Sequence, residues 1–256
     1  MNRYREGMES RDRYPLARLL SRLGVASRAE AGRWVREGRV RVHGCVVRDP
    51  ERSFGLKDPV EVQRDGVWRP AEAPAQRRYA AFHKPPGVLV SARSEAGHAA
   101  LTDALPPELA GCFAVGRLDL ESEGLLLLTD DGPWADAVIA PGRFEKRYRV
   151  TFDAEPTDAQ IAAMAAGGAL ERGIVVEACR VERAGPCACR FFLHEGRNRQ
   201  IRRLAKREGL KVRRLVREAI GPVELGALEP GAWRWLDAAE ARNLSGLPDL
   251  YGMSHH

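Results

Sequence analysis

The stretch GRLDLESEGLLLLTDDG, Gly116 to Gly132, constrains this chain more than any other. Leu125 to Leu128 form an unbroken apolar run, closed by Gly124 on one side and by Asp130, Asp131 and Gly132 on the other. A short run of that kind between turn residues reads as a strand buried on both faces. Asp119, beside Arg117, stands just ahead of it. A carboxylate tied to so rigid a scaffold can be held in one geometry, as acid, base or nucleophile chemistry requires. An aspartate before a strand is more often a turn residue, so the rest of the chain has to decide.

At 256 residues there is room for a main domain with a smaller companion. Lysine and arginine number 41 against 35 aspartates and glutamates, a modest excess whose placement matters more than its size. The basic residues crowd into Arg11 to Arg41 and Arg197 to Arg217, which predicts two localised contacts with a polyphosphate rather than a diffuse basic tail. The five cysteines are odd in number and irregularly spaced, fitting reduced thiols in a cytosol. Cys187 and Cys189 with His194 lack a second ligand pair at zinc spacing and read as strand positions, so no metal is expected. The apolar runs are too short to span a bilayer and the N-terminus is polar, which predicts a cytoplasmic protein with no membrane contact. The first ten residues and the terminal SerHisHis are expected to carry no function.

Leu16, Leu19, Leu20 and Leu23 recur at helical spacing up to Gly24. Ser27 and Glu30 form a capping box for a second helix, with Ala31, Trp34 and Val35 as its buried stripe and Gly38 as its stop. Val40 and Val42 then alternate with arginines into a strand that turns at His43 and Gly44. Arg28, Arg33, Arg39 and Arg41 decorate this helix-helix-hairpin unit with more positive charge than a solvated surface needs, so it is read as binding nucleic acid. Residues 63–78, rich in Pro, Ala and charge, are read mainly as a linker.

The second domain is expected over residues 79–247. It combines strands at 79–82, 144–152, 174–176, 190–193 and 212–216 with a helix capped by Thr157 and Gln160, an irregular mix that predicts an α+β fold with a mixed, mainly antiparallel sheet. Three of its segments could carry chemistry. The first holds Arg117 and Asp119; the second is EKRYRV, Glu145 to Val150, where Tyr148 is either a packing residue or a face on which a nucleobase stacks. The third is EGRNRQIRRLAKREG, residues 195 to 209. There Ile201, Leu204 and Ala205 form an apolar stripe, while Arg199, Arg202, Arg203 and Lys206 project from the remaining surface and Asn198 is placed to cap the helix. An RNA-backbone contact is the expectation, because Glu208 is the single acid after the cap.

Taken in order, the N-terminal unit, LysProProGly at 84–87, GRLD with its leucine run, LysArgTyr at 146–148 and GRNRQIRR resemble the bacterial ribosomal-RNA pseudouridine synthases with an N-terminal RNA-binding module. The likeness covers nearly the whole chain, and residues 14–62 resemble the small αL-type RNA-binding module. His43 stands where that module more often has Asn, His83 where the family more often has Asn, and Leu204 where it more often has Met. The resemblance implies that Asp119 is the nucleophile or base, that Tyr148 stacks on the target base, and that Arg202 forms an ion pair with Asp119. It also implies phosphate contacts from Arg197, Arg199, Arg203, Lys206, Arg213 and Arg214, ribosomal RNA or a pre-ribosomal particle as the partner, and a reaction without cofactor; nothing in the sequence suggests more than a monomer. The large subunit is slightly favoured as target. The competing reading is a non-catalytic ribosome-assembly factor that uses the same basic surfaces. A nucleotide enzyme is set aside, since no glycine fingerprint follows a strand.

Overall fold

The computed structural model describes residues 13–72, 77–91 and 97–245. The expectations for the two chain ends and for residues 73–76 and 246–247 lie outside them. The chain divides into two compact units, one of residues 1–78 with 111–113 and 129–134, the other of the remainder.

In the first unit, helices Leu16–Arg22 and Arg28–Glu37 pack over small sheets. Ser27 accepts a hydrogen bond from the Glu30 amide, and Gly38 closes the second helix in the left-handed conformation at φ 77°. Leu16, Leu19, Leu20, Ala31, Val35 and Val40 are wholly buried in one core, as the helical spacing and strand alternation require. The expected linker is partly sheet instead. Val60–Arg64 and Val67–Pro70 pair antiparallel around Asp65 and Gly66, both at positive φ. Two such residues make the tight turn whose twist matches its strands, and His43 with Gly44 repeats the device one hairpin earlier. The Asp-Gly signal was local and present; a charged, proline-rich setting concealed it.

The second unit is built on a nine-stranded sheet. Its main path runs Arg180–Gly185, Ala188–Leu193, Lys146–Phe152, Val212–Ile220, Glu123–Thr129, Tyr79–Lys84 and Trp233–Trp235. Every residue of Glu123–Thr129 is buried, so the leucine run is an interior strand covered on both faces. It pairs in parallel with Val212–Ile220, through Val216 with Glu123 and Arg217 with Gly124, whereas Lys146–Phe152 is antiparallel to both of its neighbours. The helix Asp158–Ala165 carries the full capping box of Thr157 and Gln160. The helix Gln200–Arg207 buries Ile201, Leu204 and Ala205 in a core shared with Leu118, Tyr148, Val150, Phe191 and Leu215. The fold is α+β with a mixed, mainly antiparallel sheet. Among the described residues no helix is long and apolar enough to cross a membrane.

Candidate active site

Asp119 is positioned by its neighbours before any charge is considered. Leu118 is sunk in the core of the larger unit, and the Ser122 amide donates to the Asp119 carbonyl at 3.0 Å, closing a tight turn over residues 119–122. On one side of that turn the Gly87 amide and the Lys84 ammonium both donate to the Leu120 carbonyl, at 2.8 and 3.3 Å. Lys84 is fully buried and also donates to the carbonyls of Pro85 and Val88, each at 2.9 Å. Burial pulls its ammonium down to about 8, opposed by the charges of Asp119 and Glu123 and reinforced by Arg217. LysProProGly therefore acts as a brace for the aspartate's turn.

The turn opens on a cleft of about 400 Å³, whose walls include Arg117, Asp119, Tyr148, Leu215 and the segment from Gly196 to Arg202. Tyr148 is 9% exposed, with Phe191 and Arg217 as its cross-strand neighbours. The structure thus brings together Asp119, Tyr148 and Arg202, which are separated by up to eighty-three positions in the chain. Arg117, Arg197, Asn198 and Arg199 share that wall and are exposed.

Four pairings differ from expectation. Arg202 meets Glu121 rather than Asp119, through a 3.5 Å ion pair and a 3.4 Å bond to the Glu121 carbonyl. The 119–122 turn swings the Glu121 carboxylate toward the helix, where Arg199 also binds it at 3.1 Å, and Asp119 acts on Arg202 only through space. The Arg199 hydrogen bond holds the Glu121 carboxyl below the usual range, against partial burial. Burial lowers the Arg202 guanidinium from its ordinary value, with Glu121 opposing. Asn198 does not cap its helix; Arg199 is the cap residue, in the left-handed region at φ 52°, and the Asn198 side chain accepts instead from Arg203 at 3.2 Å.

Arg214 is the third difference. Strand alternation sends it to the opposite face of the sheet from Tyr148 and Leu215, where it pairs with buried Glu123 and lines a groove with Arg149 and Arg190. Arg213 is exposed where the strand register shifts. Lys206 pairs with Glu171 and Arg197 with Glu195, both at the surface. In the N-terminal unit the fourth difference is Arg41, whose guanidinium is held by both oxygens of Glu61 and lies 4.7 Å from the centroid of the Trp68 ring. That arginine is part of the fold more than of a phosphate-binding face. Arg28 and Arg33 are exposed, and Arg39 sits over the Trp34 ring while donating to the Gln63 carbonyl.

Three residues of the site escaped the sequence reading. Lys84 lay in a noted motif without a role, and Glu121 lay inside the opening segment. Arg217 was counted only as one charge of a basic block, although it falls on a strand at a cross-strand position from Tyr148. It is 3% exposed, and a charge at a core position was the available signal.

Similarity to known proteins agrees with this geometry. A family profile described as "RNA pseudouridylate synthase" matches residues 78–207, and one described as "S4 domain" matches residues 15–60. A Pseudomonas aeruginosa protein named ribosomal small subunit pseudouridine synthase A is 37% identical, over 88% of this chain and 97% of its own length. A Bacillus subtilis protein named ribosomal large subunit pseudouridine synthase B is 31% identical, over 91% of this chain and 96% of its own. A crystal structure of a pseudouridylate synthase superposes with a TM-score of 0.65 at 26% identity, covering 90% of this chain and 98% of that one. With a leucine-mounted aspartate, a buried tyrosine and an arginine-rich helix around one cleft, and with both profiles matched in order, this chain belongs to the RNA pseudouridine synthases, isomerases of uridine in RNA, and carries an S4 domain ahead of its catalytic unit.

Proposed function

We propose that the protein converts a uridine of ribosomal RNA to pseudouridine, with Asp119 as the reacting carboxylate. The observation that carries this reading is Asp119 fixed at the rim of a cleft lined by Tyr148 and Arg202. The reaction breaks the bond from the ribose anomeric carbon to N1 of uracil and forms one to C5. The C5 proton is lost and N1 gains one, so the product is an isomer and the balance needs no electron carrier. Asp119 attacks the sugar or the ring, or abstracts a sugar proton. In each case the target base has to leave its stack, and the Tyr148 ring offers a replacement surface worth about 1 to 3 kcal/mol.

Arg197, Arg199, Arg203 and Lys206 are the candidates for flanking phosphates, setting register without reading sequence. Arg28, Arg33 and Arg39 of the S4 domain add a second contact, and two linked weak sites reinforce each other through effective concentration. The relatives that bear on the target are named for both ribosomal subunits, in keeping with ribosomal RNA as the substrate class. Mapping carbodiimide-dependent reverse-transcription stops in ribosomal RNA from cells with and without the gene tests the reading and assigns the subunit. An identical pattern of stops in the two strains rejects it.

Two outcomes bear on the arginines. Replacing Arg202 with Met is expected to weaken RNA binding only slightly while turnover falls by about 10²- to 10³-fold, measured by tritium release from uracil labelled at C5. An unchanged rate would move the role to Arg203. Neutralising Glu121 as Glu121→Gln frees Arg199 and Arg202 from their shared carboxylate. RNA binding should then tighten roughly twofold to fivefold, with a steeper salt dependence. Unaltered affinity and salt slope would show that neither arginine reaches a phosphate.

A further inference from the structure

Charges in and behind the cleft do not pair off locally. Lys84 and Arg217 are both buried, and among the described residues neither has a carboxylate within 4.0 Å. Buried Glu123 is taken by Arg214, and Glu121 by Arg199 and Arg202. Asp119 is left as the one acid lining the cleft without an ion pair among the described residues. Lys84 and Arg217 are thus two buried cations without acids, and Asp119 is an acid without a cation, a set whose net charge is +1. Lys84 is reached by the charges of both others, its ammonium favoured by Asp119 and disfavoured by Arg217.

Within this group Arg217 has the more specific geometry. Its Nε donates to the Leu125 carbonyl at 2.6 Å and its Nη1 to the Arg117 carbonyl at 3.3 Å. Those two carbonyls bracket the segment that bears Asp119, so one planar guanidinium ties the start of the loop to the leucine strand. Its own backbone abuts Gly124, and its cross-strand neighbour is Tyr148. Nη2 has no hydrogen-bond partner among the described residues. A buried cation held only by carbonyls, with one donor unsatisfied, is expensive, and a fold selected for stability alone does better with an apolar side chain. The cost is explained if the charge serves the reaction.

We propose that Arg217 is the positioning residue of the active site, fixing both ends of the Asp119 loop and supplying the buried positive charge that balances the carboxylate. The inference rests on Asp119 being the reacting group. When RNA covers the cleft and water leaves, a cation already in place stabilises the carboxylate without rearrangement, which is the advantage of a preorganised site. Arginine is required over lysine because only its fork reaches two carbonyls in one plane.

The test compares full-length wild type, Arg217→Met, Arg217→Gln, Arg217→Lys and Asp119→Asn. Single-turnover pseudouridine formation is measured per folded molecule, with the folded fraction from circular dichroism and RNA affinity from fluorescence anisotropy. Arg217→Met and Arg217→Gln should lose roughly 100-fold in rate, as expected when a reacting group is misplaced by about 1 Å, with RNA affinity unchanged. Arg217→Lys should recover part of the loss because it restores the charge. A residue serving only stability would lower the folded fraction and leave the rate per folded molecule intact, and that result overturns the proposal. So does a lysine variant no faster than the methionine one. If Arg217→Met does not fold, the comparison of lysine with glutamine decides by the same criterion. Turnover by Asp119→Asn would remove the underlying reading and this proposal with it; an inactive Asp119→Asn beside a fully active Arg217→Met would remove this proposal alone.

Discussion

Asp119→Asn is expected to bind RNA as the wild type does and to form no detectable pseudouridine. The substitution keeps the size and planarity of the side chain, and the groups that place it are all elsewhere. Leu118 remains in its core, the Ser122 amide still bonds the backbone carbonyl of residue 119, and Lys84 still grips Leu120. The proposed RNA contacts are the exposed arginines of the 196–202 segment and of the S4 domain, which the change does not touch. What disappears is the negative charge and the lone pair that attack a carbon or take a proton. If Asp119 is the reacting carboxylate proposed above, the fall should be on the order of 10⁴-fold or more. Tritium release from uracil labelled at C5, beside anisotropy binding curves, reads both quantities. Turnover within tenfold of wild type would take Asp119 out of the chemistry, and a parallel loss of binding would recast it as a structural residue.

The second large effect is on the fold. Gly124→Ala is expected to destabilise the protein by about 3 kcal/mol or more, combining left-handed backbone strain with steric overpacking. Gly124 sits at φ +106°, and an added Cβ would lie 2.5 Å from the Arg217 carbonyl oxygen and 2.6 Å from its amide nitrogen. Both obstacles are backbone of the paired strand, so neither can swing away as a side chain would. The parallel register of Glu123 and Gly124 against Val216 and Arg217 has to open. In a chain of this length, that loss corresponds to a thermal midpoint lower by roughly 6 to 12 °C. Gly196→Ala is the control, since an added Cβ there meets nothing within 4 Å. Equal midpoints for the two variants, measured by circular dichroism, would show that the strand pair accommodates the methyl group.

Elements carried by short-range pattern were legible in the sequence. The leucine strand, the capped helices at Ser27 and Thr157, and the stripe of Ile201, Leu204 and Ala205 all follow from spacing within a dozen residues. The Asp-Gly hairpin at 65–66 is local too, its turn chemistry prevailing over the charged, proline-rich composition around it. Pairings between distant segments were of another kind. That Arg202 should meet Glu121 depends on where a turn ends, and two residues of arc separate that carboxylate from the one expected. Arg214 and Arg217 look alike in a basic run, yet one strand sends them to opposite faces, the first to Glu123 and the second beneath the Asp119 loop. Residue type indicated a cationic partner for RNA, and only the sheet separates the arginines that face a ligand from those that hold the frame.

The parallel pairing at the heart of the site also orders the events of synthesis. All strand pairings described in the N-terminal unit lie between residues 13 and 70, so they can close while most of the chain is still unmade. The leucine strand has to wait for a neighbour 92 positions downstream before Arg217 can reach the Leu125 carbonyl. Contacts so far apart form slowly and late, and until then an apolar strand has one edge open. A nascent chain therefore carries its S4 domain early and its Asp119 loop last, so an abandoned translation product lacks the assembled cleft.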